Sequence, residues 1–155
     1  MALAEQQGMP HWAAQGRLNL GWAMQGRGLA VEGAEHIRAG LATFAMIGTR
    51  AAVTYFEGAL AAAELRAGRI AEAREALARA FAFAESSGEH FYLAELHRLE
   101  GEALLAAGQG EAAAERAFAE AVAIARAQGA AAFLQRAERS LRALTARTRQ
   151  TAAAQ

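Results

Sequence analysis

The stretch "LAAAELRAGRIAEAREALARAFAFAESSG", residues 60–88, decides the fold. Within it, Ile70, Ala73, Leu77, Ala80, Phe81 and Ala84 recur every three or four residues, which gathers them into one stripe of a helix. Glu72, Glu75 and Arg79 fall on the other side, and Glu75 precedes Arg79 in the favourable i,i+4 order. Gly68 and Gly88 bound the run. Glycine enters the left-handed backbone region without a Cβ penalty and so ends a helix cheaply. The stretch therefore predicts one amphipathic helix, the end of another before it, and a tight turn between them.

Outward from this segment the same punctuation continues. Gly8, Gly48 and Gly88 lie 40 residues apart, and Gly129 follows 41 later. Gly28, Gly68 and Gly108 form a second 40-residue series that bisects the first. The spacing predicts helices over 10–27, 29–47, 50–67, 69–87, 89–107, 111–128 and 130–147, with Pro10 in the first turn of the first. Small residues repeat on the same grid: Gly21, Ala61 and Gly101 in the first helix of each pair, Gly33, Ala73 and Ala114 in the second. Ile37, Leu77 and Phe118 follow these, then Gly40, Ala80 and Ala121. Small residues let helices approach closely, and large ones fill the space beside them. One hairpin cannot bury its apolar face alone, so the pattern implies hairpins stacked on one another. The expected fold is all-α, an α-solenoid of helical hairpins with about three 40-residue repeats and a C-terminal capping helix.

Composition agrees and removes much chemistry. The 16 cationic residues are all arginine and the 16 anionic ones all glutamate, with no cysteine and one proline. Without lysine there is no Walker A loop and no Schiff base; without cysteine, no disulfide, thiolate metal site or thiol nucleophile. A formal net charge of zero carries no general footprint for nucleic acid or anionic lipid. No 18-residue apolar span occurs, and "MALAEQQGMPHW" has neither the basic nor the long apolar region of a secretory signal. A cytoplasmic location is the default expectation. "GQGEAA", 108–113, fits G-x-G-x-x-A, but a dinucleotide loop needs a strand before it, and "ELHRLEGEALLAA" is helical. Gly108 lies on the 40-residue grid, and the single-residue slip enters beside it, so this stretch is a loosened hairpin turn.

The repeats resemble the tetratricopeptide (TPR) pattern in Leu20-Gly21, Gly28, Gly33, Ile37 and Gly40, and again in Leu60-Ala61, Gly68, Ala73, Leu77 and Ala80. The third copy carries Gly101, Gly108, Ala114, Phe118 and Ala121. They depart from it in a period longer than the usual ~34 residues, in Arg17, Glu57 and His97 at the customary tryptophan position, and in lacking the closing proline. "AELHRLEGEALLAAGQGEAAAERAFAEAVAIARAQGA", 94–130, resembles the C-terminal TPR-like region of large bacterial signalling ATPases, and "GWAMQGRG" (21–28) and "EHIRAGLATF" (35–44) resemble its preceding repeats. Those proteins join a STAND-type ATPase to a nucleotide-cyclase or helix-turn-helix output domain. "MALAEQQG" reads as the end of a second-type helix, so residues 1–150 are expected to be one repeat domain from a longer protein, with 151–155 as a disordered tail.

The resemblance implies that the first helix of each pair lines a concave, partner-binding face. Matching positions are Gln15, Leu18, Trp22 and Gln25, then Tyr55, Gly58, Ala62 and Arg66, then Glu95, Arg98, Glu102 and Leu105. Of these, Gln15, Trp22, Gln25, Tyr55, Arg66, Glu95, Arg98 and Glu102 are the candidate binding residues. Trp22 and Tyr55 equally suit the gaps left by small neighbours. His90 and His97, seven apart, and the carboxylates Glu95 and Glu102 read better as exposed helix residues than as metal ligands or an acid/base pair. Arg136, Arg139, Arg142, Arg147 and Arg149 read as the solvated face of a capping helix, with a phosphate-tracking surface as the alternative. No catalytic residue, metal or cofactor is expected. Expected partners are a protein or peptide, or neighbouring domains of the parent chain; neither a membrane nor a nucleic acid is expected, and exposed apolar ends favour self-association. The alternative function is a small-molecule sensor controlling an attached ATPase or cyclase, with Phe91, Tyr92 and Trp22 as its aromatic cluster.

Overall fold

The computed structural model describes residues 2–153. Among them it is all-helical: α1 (Ala2–Gln6), α2 (Pro10–Gln25), α3 (Ala30–Met46), α4 (Val53–Arg66), α5 (Ile70–Ser87), α6 (Leu93–Ala106), α7 (Glu111–Ala127) and α8 (Ala131–Ala153), with no strand. α8 runs past the expected end of its helix and into the expected tail, of which residues 154 and 155 lie outside the described residues.

All seven glycines of the two 40-residue series have positive φ, between 63° and 81°. At Gly28, the glycine N–H donates to the Gln25 carbonyl and the Leu29 N–H to the Met24 carbonyl, a Schellman pairing that satisfies two helix-end acceptors. The same pair of bonds recurs at Gly48, Gly68, Gly108 and Gly129. The N-cap residues of the second helices are Leu29, Arg69 and Gly110, spaced 40 and then 41 apart. The extra residue thus lies in the turn before α7, where Gly110 takes φ 96°.

α2 packs on α3, α4 on α5 and α6 on α7, and each pair also contacts the next; α2, α4, α6 and α8 further touch one another in sequence. Small residues allow the close approaches. A Cβ on Gly21 would lie 2.5 Å from the Gly33 carbonyl oxygen, and one on Gly33 would lie 2.7 Å from that of Gly21. Gly40 sits against Leu18 and Gly101 against the ring of Phe118. One apolar cluster runs from Leu18 and Ile37 through Phe44, Phe56 and Leu60 to Leu96 and Leu99; a second joins Phe118 to Leu144. Leu18 and Gly58 are therefore spent in packing: Leu18 is buried below Gly40, and Gly58 lies under Tyr92 and Leu96.

Charged ties cross the helices. Glu64 of α4, wholly buried, pairs with Arg38 of α3 and with Arg69 in the turn before α5. Glu57 accepts two bonds of 2.9 Å from Arg79, joining α4 to α5. The α5–α6 loop reaches back as well. Glu89 accepts from the backbone N–H of Ala52 at 2.9 Å and of Thr54 at 2.8 Å, and from the Thr54 hydroxyl. It caps α4, whose first flanking residue, Ala52, is itself left-handed with φ 55°.

Candidate functional site: a cleft between α4, α6 and α8

A cleft of about 550 Å³ opens where α4, α6 and α8 converge. α4 contributes Ala62, Leu65 and Arg66, and α6 contributes Glu95, Arg98, Leu99, Glu102 and Ala106. α8 supplies Arg136, Arg139 and Ser140. Arg66, Glu95, Arg98 and Glu102 are thus brought together.

The charges of the cleft are held from behind. Arg98 donates to Glu95 at 2.8 Å and to Glu102, forming a carboxylate–guanidinium–carboxylate row along one face of α6. Burial works against the Arg98 charge, but the hydrogen bond to Glu95 and the two negative charges outweigh it, and its pKa is raised. The second oxygen of Glu95, buried and accepting no hydrogen bond, lies 3.4 Å from Nε of Arg136, which ties α8 to α6. The Arg136 guanidinium also sits over the Phe133 ring, 5.0 Å from its centre. Gln25, buried on α2, donates to the Ala59 carbonyl at 3.0 Å and accepts from Arg66 at 2.6 Å. It positions a cleft arginine from the next hairpin without lining the cleft.

Two other predicted members lie elsewhere. Trp22 is exposed on α2, and Gln15 bonds Asn19 within its own helix at 3.3 Å. Tyr55 stacks edge-on with Tyr92, 5.1 Å away, and Tyr92 with Phe133 at 5.4 Å, an aromatic row that crosses α4, the start of α6 and α8. Burial raises the pKa of both tyrosines; at Tyr55 the Arg136 charge opposes the rise, and at Tyr92 the Glu95 charge adds to it. Phe91 joins this row beside Tyr92, whereas Trp22 makes none of its ring contacts. His97 bonds Glu100 at 3.1 Å and lies against Phe81, and His90 is exposed. No three His, Cys, Asp or Glu residues converge among the described residues.

Sequence reasoning left α8 out of the concave set, yet a signal for it was present. Carrying the third copy forward by the 41-residue step takes Glu95 to Arg136 and Arg98 to Arg139. A terminal helix rich in arginine resembles a solvated face, and only its packing on α6 brings Arg136 to Glu95 and Arg139 into the cleft wall.

Among the described residues no helix is long and apolar enough to cross a membrane. Comparison of the chain with protein-family models, with curated proteins and with solved structures found no significant match.

Proposed function

We propose that this chain is a TPR-like α-solenoid, of about three 40-residue repeats and a capping helix, that works as a non-enzymatic scaffold. It holds an acidic segment of a protein, or of a neighbouring domain in a bacterial signalling or transcription-regulating parent, in the cleft between α4, α6 and α8. The observation that carries this reading is the charge of the cleft. Four arginines, Arg66, Arg98, Arg136 and Arg139, line it against two glutamates, in a chain whose formal charge is zero. Arg98 is committed to Glu95 and Glu102 and Arg136 leans on Glu95, so the excess of positive charge is presented chiefly by the exposed Arg66 and Arg139. Positive groups gathered in a concavity focus the field on an incoming anion, and guanidinium forks match carboxylates in two-pronged geometry. Ala62 and Ala106 leave room beside them for a main chain to lie close.

Calorimetric titration with glutamate-rich and charge-neutral decapeptides tests this. The acidic peptide binds and the neutral one does not, and rising salt weakens the complex. Arg139→Glu weakens it by about tenfold, the size of one lost charged hydrogen bond. Equal affinity for both peptides, or no effect of Arg139→Glu, sinks the reading.

A second reading, the small-molecule sensor, rests on the volume of the cleft, which lies within the roughly 300–1,000 Å³ of ligand pockets. A thermal-shift screen separates the two: a sensor melts higher with one class of small anion in the absence of any peptide.

A further inference from the structure

We propose that this chain binds a medium-chain carboxylate, an apolar tail ending in one acid group, in a second cavity between the end of α3, the start of α4 and α5. The cavity has a volume of about 310 Å³, at the small end of the roughly 300–1,000 Å³ of ligand pockets. Leu41, Phe44 and Ala45 of α3, Val53 of α4 and Phe83 of α5 give it apolar walls. The Phe44 wall is fixed from behind: its ring stacks on His11 of α2 at 5.3 Å and meets Phe56 edge-on at 6.2 Å. α3, α4 and α5 are interior to the row, with α2 before them and α6 after. Residue choice makes the room. One repeat later the counterparts of Leu41 and Glu57, which both line the cavity, are Phe81 and His97, whose rings meet at 4.8 Å, and the counterpart of Ala45 is Glu85. The smaller Leu41 and Ala45 leave space in the earlier repeat.

The polar groups of the cavity select the occupant. Thr49, Arg50 and Glu57 line it beside the apolar walls, and two of the three are engaged. Both oxygens of Glu57 accept from Arg79 at 2.9 Å, and the Thr49 hydroxyl bonds Nδ1 of His11 at 3.3 Å. Arg50 pairs with no carboxylate among the described residues; it is exposed at the mouth, with its guanidinium over the Phe83 ring, 4.9 Å from the centre. An acid group at the mouth therefore meets the one uncommitted charge, and the guanidinium fork matches a carboxylate. The tail behind it replaces water along the apolar walls.

The same surroundings keep the tail short. Past Glu57 the surface is crossed by the Glu57–Arg79 and Glu64–Arg38 pairs, which join α4 to α5 and to α3. A long acyl chain, or the apolar face of a partner helix, would have to strip these charges of water, which is costly. The cavity shares no residue with the α4–α6–α8 cleft, so the proposal stands independently of the peptide reading.

Calorimetry and methyl-resolved NMR on the full 155-residue chain, with octanoate, octanol and octylammonium as probes, test the proposal. Octanoate is expected to bind once per chain and to shift the methyl signals of Leu41 and Val53, with octanol and octylammonium at least about tenfold weaker, the size of one lost charged hydrogen bond. Hexanoate should bind about tenfold more weakly than octanoate, through the loss of two methylenes. Arg50→Gln should bring octanoate down to the level of octanol. Ala45→Leu, at an exposed position of α3, should fill the cavity and abolish binding with unchanged helical circular dichroism. No octanoate binding, or octanol bound as tightly as octanoate, overturns the proposal. So do shifts centred on Leu65 and Leu99 of the other cleft, or full octanoate affinity in either variant.

Discussion

Single side chains carry unequal shares of this fold, and the largest belong to residues with almost no side chain. Gly21 and Gly33 place two backbones in mutual contact, so Gly21→Leu has no free direction in which to grow. Overpacking of this kind costs about 1–3 kcal/mol or more, and urea unfolding should show at least that loss, whereas Gly26→Ala, with only the Ala23 carbonyl 3.5 Å from its Cβ, should cost little. Glu64 is the matching polar case. Glu64→Gln removes the charge that both Arg38 and Arg69 face; because those arginines are partly exposed and can turn to water, the cost should be about 1–3 kcal/mol, short of a fully buried pair. Arg38→Ala leaves one buried oxygen of Glu64 without its partner while Arg69 still faces the other, and should cost about 1–3 kcal/mol. The two tyrosines give a pH prediction with a definite sign. Tyr55 and Tyr92 have folded pKa values raised above the ordinary 10.0 by burial. The folded state therefore keeps its phenolic protons while the unfolded chain loses them. Stability is intact below that ordinary value and falls as pH rises from it through the folded values. Alkaline absorbance titration should show both phenols ionising late, and melts should drop over the same window.

Helices and turns are the level at which the sequence was most readable. Glycine at a fixed period declares where the backbone must turn left-handed, and all seven such residues do so. Boundaries were less legible at α4 and α6, which begin at Val53 and Leu93 rather than near 50 and 89. At α4 the reason is long-range: Glu89, from a loop 35–37 residues later, takes the N–H groups of Ala52 and Thr54 and fixes the start there. No local pattern announces a cap supplied by another hairpin. Glu89→Ala should cost about 0.5–2 kcal/mol, the range for a lost N-cap, and speed amide exchange first at Ala52 and Thr54. The cleft was half legible for a related reason. The TPR-like register put Arg66, Glu95, Arg98 and Glu102 on the inner faces of α4 and α6, and these four line the cleft. How hairpins lean on each other is set by side-chain volumes such as Tyr55, Tyr92 and Phe133, and that decides that α8 joins them while Gln15 and Trp22 stand apart.

Among the described residues the helices form a row in which each hairpin has neighbours only before and after it. Stability in such a row is nearly a sum of unit and neighbour terms, so it is greatest where a unit has two neighbours. Hydrogen exchange should be slowest in α4, α5 and α6, and faster in α2 and toward the end of α8. Removing residues 131–153 should uncover the Phe118–Leu144 cluster and the Tyr92 ring together. A lower melting temperature and faster exchange in α6 and α7 should follow.

The extra residue beside Gly110 has a consequence for how such a chain can change length. One residue added inside a helix turns everything after it by ~100°, which would carry each buried side chain of that helix off its seat. Added at a glycine turn, it is absorbed by two or three backbone torsions, and α7 and α8 keep their register as though nothing had entered. The glycine turns are therefore this molecule's expansion joints, the places where inserted sequence would move neither the core nor the cleft.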